Sequence, residues 1–437
     1  MGSGSSTPQV RISPWQLEVR GEHQGSVNCM AKSEDESILV TGSDDNNLIV
    51  WMVKSNPTSR LGTLCGHEKY ITCVAVDGTF VYSGSADCTI RKWDLGTAEC
   101  LHTYRGHTGM INRIICTGDF IFSSSYDTSA RCWVADPVDG YNPCIRKFEG
   151  HMKGVYPLVY IPCDETDDVL EDEDDENGDI LITGSGDGTA RSWSIESGEC
   201  LRMFRGHRGP VHSLAVDEEG RILFSGSTDC CIRSWDIEKG ECLKELLGHD
   251  QPITTLLVEG KFLYSGSADR VAKSWVIEFG DCARTFSGHK HSVSCLAYHD
   301  GILYTGCGDG VVRAFDVKSG LLKRVFRGHA YTVNCMKGGG KIKTTMITKT
   351  TAALLVCLWA LLALEDSAQG VVVRSGFSPH FRRLPPLDQE VLRLAKKKRN
   401  QDKFNRDFRD YQPMPFGKRS NDDEKKAASD YHPLMFG

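Results

Sequence analysis

The sequence predicts an all-β fold: a β-propeller of four-stranded blades, seven full and an eighth incomplete, followed by a largely disordered tail with one short apolar helix. Three observations carry this. In residues 66–94, GHEKYITCVAVDGTFVYSGSADCTIRKWD, three short β-branched runs are separated by Gly and Asp. The same frame of a histidine, a segment like Ser-Gly-Ser-x-Asp and an aromatic six residues after the Asp recurs seven times, at the spacing of propeller blades. Near residue 337 the frame stops and the composition changes. The 437 residues have a net charge of −7, yet residues 338–437 carry 18 Lys/Arg against 11 Asp/Glu, so the first 337 residues sum to −14.

In chain order, residues 1–14 are small and polar and read as disordered. Residues 15–20, WQLEVR, precede Gly21-Glu22-His23 as residues 100–105, CLHTYR, precede Gly106-His107, so they read as an outer strand lacking its own blade. Such a strand closes a propeller by pairing with strands from the far end, which removes exposed sheet edges.

The frame histidines are His23, His67, His107, His151, His207, His249 and His289; the aspartates are Asp45, Asp87, Asp127, Asp187, Asp229, Asp269 and Asp309. Trp51, Trp93, Trp133, Trp193, Trp235 and Trp275 follow, with Phe315 in the seventh copy. A hydroxyl stands four residues before each Asp: Thr41, Ser83, Ser123, Thr183, Ser225, Ser265 and Thr305. Each hydroxyl can accept from the indole and bond the imidazole while the Asp takes the other ring nitrogen, and the copy without an indole should hold the weakest network. His, Ser and Asp together also describe a hydrolase triad. A triad, however, occurs once per site and needs an oxyanion pocket, whereas this set repeats seven times, which marks architecture.

Arg91, Arg131, Arg191, Arg233 and Arg313 recur four residues after the Asp, but the charge of −14 on this part argues against a nucleic-acid stripe. The 18 cysteines are spread over the repeats, as at Cys100, Cys200, Cys242 and Cys282, and read as buried free thiols of a reducing cytosol. Their spacing suits no metal, and nothing calls for a cofactor or a small-molecule substrate.

The Gly-His, Ser-Gly-Ser-x-Asp and Trp-Asp elements (Trp93-Asp94, Trp235-Asp236) resemble the WD40 repeat family over residues 15–336. The resemblance implies a β-propeller that serves as a platform for protein partners without activity of its own. It also implies that partners meet the end of the ring carrying the turns after each Gly-His and the residue before each Asp. Mapped by motif position, that face holds Tyr70, Met110, Tyr126, Arg208, Thr228, His291 and Tyr331, several of them types that anchor interfaces. An acidic loop at 163–179, CDETDDVLEDEDDENGD, has 11 acidic residues and no Lys or Arg, and is expected to be disordered at the opposite end. It reads as a solvated insertion, with docking of a basic partner as the alternative.

An eighth copy starts at Gly328-His329 with residues 333–336 as a first strand, and residues 337–345 form a junction. Residues 346–368 read like a signal peptide: a short basic start, the apolar run AALLVCLWALLAL at 352–364, and Ala368 as a possible cleavage end. Beyond it, the basic clusters Lys396-Lys397-Lys398-Arg399 and Lys418-Arg419 are sites that a prohormone convertase cuts. DYQPMPFG ends at Phe416-Gly417 before Lys418-Arg419, and SDYHPLMFG ends at Phe436-Gly437, so both present a glycine for α-amidation. The pair resembles nematode neuropeptide precursors of the cholecystokinin and sulfakinin type, whose peptides act on G-protein-coupled receptors. The sequence therefore reads as a non-catalytic cytoplasmic scaffold joined to a neuropeptide precursor, a joint arising from a misjoined gene or a read-through transcript. The tail would be secreted only if translated from Met346. The alternative is a substrate-recognition subunit of a ubiquitin ligase with an unrelated tail.

Overall fold

The computed structural model describes residues 23–53, 59–137, 142–163, 178–327, 329 and 331–336. Within them the chain forms seven four-stranded antiparallel sheets, each built from consecutive strands. The blades span residues 27–64, 71–104, 111–148, 155–205, 211–246, 253–286 and 293–327. In blade 2 the strands are Ile71–Asp77, Phe80–Ser85, Ile90–Asp94 and Cys100–Tyr104. The first three cover the β-branched runs read from the sequence, and tight turns join them. There is no helix among the described residues, and none there that could cross a membrane. The outer strand expected at 15–20, the body of the acidic loop, the apolar segment and both amidation sequences lie outside the described residues.

The core is a series of apolar layers between adjacent blades. Between blades 2 and 3, Tyr82, Ile90 and Tyr104 pack against Ile111, Ile114, Ile121 and Trp133. Pleating makes this possible: alternate residues of one strand face opposite neighbours, so each blade contributes to two layers.

Inner strands are joined by a second device. In every blade the pairing register shifts around the second inner-strand residue, as between Val27 and Cys29, Ile71 and Cys73, or Val293 and Cys295. A bulge re-aims a side chain, and here several of the bulged residues reach the next blade. Asn28 Nδ2 donates to the Ile71 carbonyl at 3.0 Å and Asn112 Nδ2 to that of Val155 at 2.6 Å, while Thr254 bonds the Val293 carbonyl.

This belt continues past blade 7. Ser294 Oγ donates to the Val333 carbonyl, the Val333 amide donates to the Cys307 carbonyl at 3.2 Å, and Asn334 Nδ2 donates to the Val27 carbonyl of blade 1 at 3.3 Å. Val333, Asn334 and Cys335 are all buried. Gly306 shows the same close approach: a Cβ there would stand 2.9 Å from Val333 Cγ1, as one on Gly84 would stand 2.7 Å from Ile111 Cγ2. Residues 333–335 thus occupy an eighth inner position and bridge blades 7 and 1. They are not paired there as a regular strand, since no second strand lies beside them among the described residues.

The acidic insertion leaves blade 4 between Val155–Ile161 and Ile180–Ser185, at the ends of those strands away from His151. Asp179 pins its stem, accepting from the Cys163 amide at 3.0 Å and the Tyr160 hydroxyl at 2.9 Å.

The cysteines depart from the sequence reading. Those described are free thiols, but Cys100, Cys200, Cys242 and Cys282 are exposed rather than buried. They open the outer strands, and an outer strand has one edge in solvent. Of the buried thiols, Cys29, Cys73 and Cys295 lie on inner strands and Cys335 on the bridging segment, while Cys132 and Cys307 lie on the third strand of blade 3 and the second strand of blade 7.

Candidate functional site

In blade 2, Trp93 Nε1–H donates to Ser83 Oγ at 2.8 Å, Ser83 lies 2.8 Å from His67 Nε2, and His67 Nδ1 lies 2.7 Å from Asp87 Oδ2. A carboxylate only accepts, so Nδ1 carries the imidazole proton and Nε2 accepts from the serine. Donors and acceptors then match in one line: indole to hydroxyl, hydroxyl to imidazole, imidazole to carboxylate. Asp87 Oδ2 also accepts from the Glu68 amide, and Oδ1 from the amide and hydroxyl of Thr89.

Blade 3 repeats this with His107, Ser123, Asp127 and Trp133 at 2.7–2.9 Å. So does blade 5, with His207, Ser225, Asp229 and Trp235 at 2.7–2.8 Å. Blades 1, 4 and 6 hold the equivalent sets.

Burial acts to raise the carboxyl pKa, but bonds from the histidine, from the backbone and, at Asp87, Asp127 and Asp187, from a neighbouring hydroxyl outweigh it. Asp87, Asp127 and Asp187 are held well below the usual carboxylate range, and Asp229 is lowered to about 2. The hydroxyl cannot serve as a nucleophile in this arrangement. The oxygen accepts a hydrogen bond from the indole N–H, and Ser83 and Ser123 are 0% exposed, so no substrate can reach it.

The recurrent arginines lie over the tryptophans, with guanidinium carbons 5.6–6.0 Å from the rings of Trp93, Trp133, Trp193 and Trp235. This explains one glycine. Gly106 has φ +154°, and a Cβ there would stand 2.8 Å from Arg131 Nη1.

Blade 7 is wired differently. His289 Nε2 keeps its contact with Thr305 at 2.7 Å, but Nδ1 meets the Arg270 carbonyl at 3.1 Å instead of the aspartate. Asp309 pairs with Arg313, its Oδ2 2.7 Å from Nη2. Phe315 supplies no N–H, and Arg313 has turned to the carboxylate, which leaves His289 without an anionic partner. Burial, with Arg313 nearby, lowers its pKa to about 4.

The seven residues mapped to the partner face are at the end of the ring that carries these turns. Tyr70 and Met110 meet across blades 2 and 3, the hydroxyl 3.5 Å from Sδ. Tyr126 is 39% exposed and packs over Gly154 of blade 4, while Tyr331 is 68% exposed. Arg208 and His291 are exposed and Thr228 half-buried. The sequence reading passed over Met152, which is 84% exposed beside Gly154. It follows His151 as Arg208 follows His207, so motif position would have found it.

The family model for the WD domain, G-beta repeat, matches residues 16–52, 58–94, 98–134, 198–236, 240–275 and 280–316, about half of the chain. The chain belongs to the WD40 repeat family. WD40 propellers are in general non-catalytic platforms that bind protein partners. Between its matches the family model passes over residues 135–197, which hold the outer strand of blade 3 and the first three strands of blade 4 with the acidic insertion.

Among curated relatives, Mitochondrial division protein 1 of Malassezia globosa is 28% identical over 43% of this chain and 25% of its own length. A CCR4-associated factor 4 homolog of Candida glabrata is 27% identical over 45% of this chain and 29% of its own. The chain thus spans less than a third of the length of these relatives. Among solved structures, the computationally designed Ika8 protein superposes with TM-score 0.62 at 26% identity, covering 72% of this chain and 92% of that one. Saccharomyces cerevisiae Sqt1, at 19% identity and TM-score 0.64 over 71% of this chain and 88% of its own, shares the fold.

Proposed function

We propose that this WD40 protein is a cytoplasmic interaction scaffold that engages a protein partner through the His/Asp end of blades 2–4. The observation that supports it most is the apolar group Tyr70, Met110, Tyr126 and Met152 on that end, with two members well exposed. Tyr331 lies on the same end near the ring closure. The test is affinity capture of the tagged full chain with quantitative recovery of its partners. The Tyr126→Ala/Met152→Ala variant should lose at least tenfold recovery of one partner at unchanged melting temperature. Unchanged recovery removes this group from the site, and the Tyr331→Ala variant tests its end of the face in the same way.

A ubiquitin-ligase substrate receptor is the runner-up. Family members of that kind often carry Arg two places after Trp-Asp, whereas Leu95-Gly96 and Ile237-Glu238 follow here. Stretches such as SADCTIRKWD at 85–94 and FSSSYDTSARCW at 122–133 resemble WD repeat-containing protein 86, which adds to the scaffold reading.

For residues 346–437 the reading is a joined neuropeptide precursor, cut at Lys398-Arg399 and Lys418-Arg419, whose peptides are amidated at Phe416 and Phe436 and act on a G-protein-coupled receptor. The repeated D-Y-x-P-x-x-F-G sequence supports it. Sequencing the message across the codons for residues 335–350 tests the joint. A single message spanning it shows that one transcript encodes the fused chain; two separate messages show that the two parts are encoded apart and overturn the joint.

A further inference from the structure

We propose that the eighth position of the ring, between blades 7 and 1, is a docking slot for a β-hairpin supplied by a partner protein. The inference rests on the scaffold reading and on the 437-residue chain being made as one protein, but it uses a different surface from the Tyr126 group.

The floor of the slot is residues 333–335, held in an inner-strand position by the belt from Ser294 through Asn334 to Val27. One wall is the face of blade 7 turned away from blade 6, which no other blade covers among the described residues. Tyr304, Val312 and Phe326 are only half-buried there, whereas their counterparts Tyr82, Ile90 and Tyr104, covered by blade 3, are each 1% exposed. The other wall is blade 1, where Leu39 is half-buried and its counterpart Val81 is 0% exposed. Among the described residues nothing lies between these walls above the floor.

The neighbouring blades define the occupant. In each of them the space next to the inner strand is filled by the second and third strands, a hairpin with apolar residues on both faces. That hairpin also carries the hydroxyl, the Asp and the aromatic that serve the frame histidine. His329 holds the histidine position of the eighth copy. The Asp follows its histidine by 20 or 22 residues in every blade but the interrupted fourth, yet Lys349 and Thr351 stand at those distances from His329. The first Trp after it is Trp359. The chain therefore does not bring the matching set in register, and a partner hairpin with a Ser/Thr, an Asp four residues on and a Trp six beyond that would complete both the layers and the His329 network. Main-chain pairing would add affinity and the wall side chains selectivity, as in strand addition at a sheet edge.

The probe is a synthetic peptide with the sequence of the blade 6 hairpin, residues 262–276, FLYSGSADRVAKSWV, added to the full 437-residue chain. The expected result is saturable binding in the micromolar range, weakened at least tenfold when the peptide's Asp is replaced by Ala. Hydroxyl-radical labelling of Tyr304 and Phe326 should be present in the free chain and suppressed by the peptide. Phe326→Asp and Val312→Lys, two separate variants at part-exposed wall positions, should each abolish binding without lowering the melting temperature by more than a few degrees. The inference is overturned if the peptide does not bind, if binding survives both variants, or if Tyr304 and Phe326 are unlabelled in the free chain, which would mean that another part of this chain or a second copy already covers the slot. Recovery of the partner lost in the Tyr126→Ala/Met152→Ala variant should be unaffected by Phe326→Asp, so failure of this inference and failure of the scaffold reading are separable.

Discussion

Replacing Ser83 by Ala lowers the unfolding free energy by about 2–5 kcal/mol, a large loss for a single oxygen atom. Ser83 is wholly buried between the Trp93 indole and the His67 imidazole, each 2.8 Å away. The alanine leaves both without a partner, and a buried group so orphaned costs about 1–3 kcal/mol. Blade 7 supplies the control. Thr305 serves His289 but no indole, so Thr305→Val, which keeps the side-chain volume, orphans one ring nitrogen and should cost about half as much. Urea unfolding of the two variants measures the difference, and equal losses would contradict the network as described.

Acidification from pH 6.5 to 4 removes a further share of stability; His107 is lowered by burial, and His212 and His289, lowered further, contribute most. His212, on the inner strand of blade 5, is lowered to about 4 by burial; its Nδ1 has no hydrogen-bond partner and its ring packs against Tyr156 at 5.3 Å. His289 is lowered to about 4 by burial and the nearby Arg313, against the opposing pull of the Arg270 carbonyl and Asp309. Both are neutral in the fold. Above pH 6.5 the unfolded chain is neutral at these positions too, and stability is full. Below that pH the unfolded chain takes up protons that the folded chain refuses, so stability falls until the pH passes the folded value near 4.

A shift of this size corresponds to roughly 3 kcal/mol per histidine at pH 4. The lowered aspartates act in a separate window, since their contribution is present above the unfolded carboxylate value of about 4 and is lost only below it. His212→Asn and His289→Gln should each flatten the decline between pH 6.5 and 4. A wild-type stability constant across that range would contradict the assignment.

Much of the ring is legible in the sequence because the frame residues act locally. Gly-His and Ser-Gly-Ser-x-Asp fix two turns, and the aromatic six residues after the Asp fixes the third strand, so the strands of residues 66–94 follow from spacing alone. What escaped that reading depends on neighbours. Asn28 and Asn112 look like ordinary strand residues until the bulge turns them toward the next blade, and a bulge is a property of pairing register; Asn334 reaches blade 1 from the bridging segment, where no strand pairs with it among the described residues. Cys100 and Cys242 look like core thiols until the outer strand is seen to have an open edge. The exchange of partners at Asp309 accompanies Phe315: with no tryptophan two residues on in its own strand to lie over, Arg313 reaches the carboxylate instead, which only the side-chain geometry shows. Met152 was readable by motif position, since it stands where Arg208 does.

The claim on which the ring and its open position both depend is that residues 333–335 bridge blades 7 and 1. Hydrogen–deuterium exchange of the intact chain tests it most directly. The account predicts that the Val333 amide, bonded to the Cys307 carbonyl, exchanges as slowly as the inner-strand amides of blade 7. Exchange at the rate of unstructured chain would contradict it, leaving blades 7 and 1 unconnected and the eighth position without a floor.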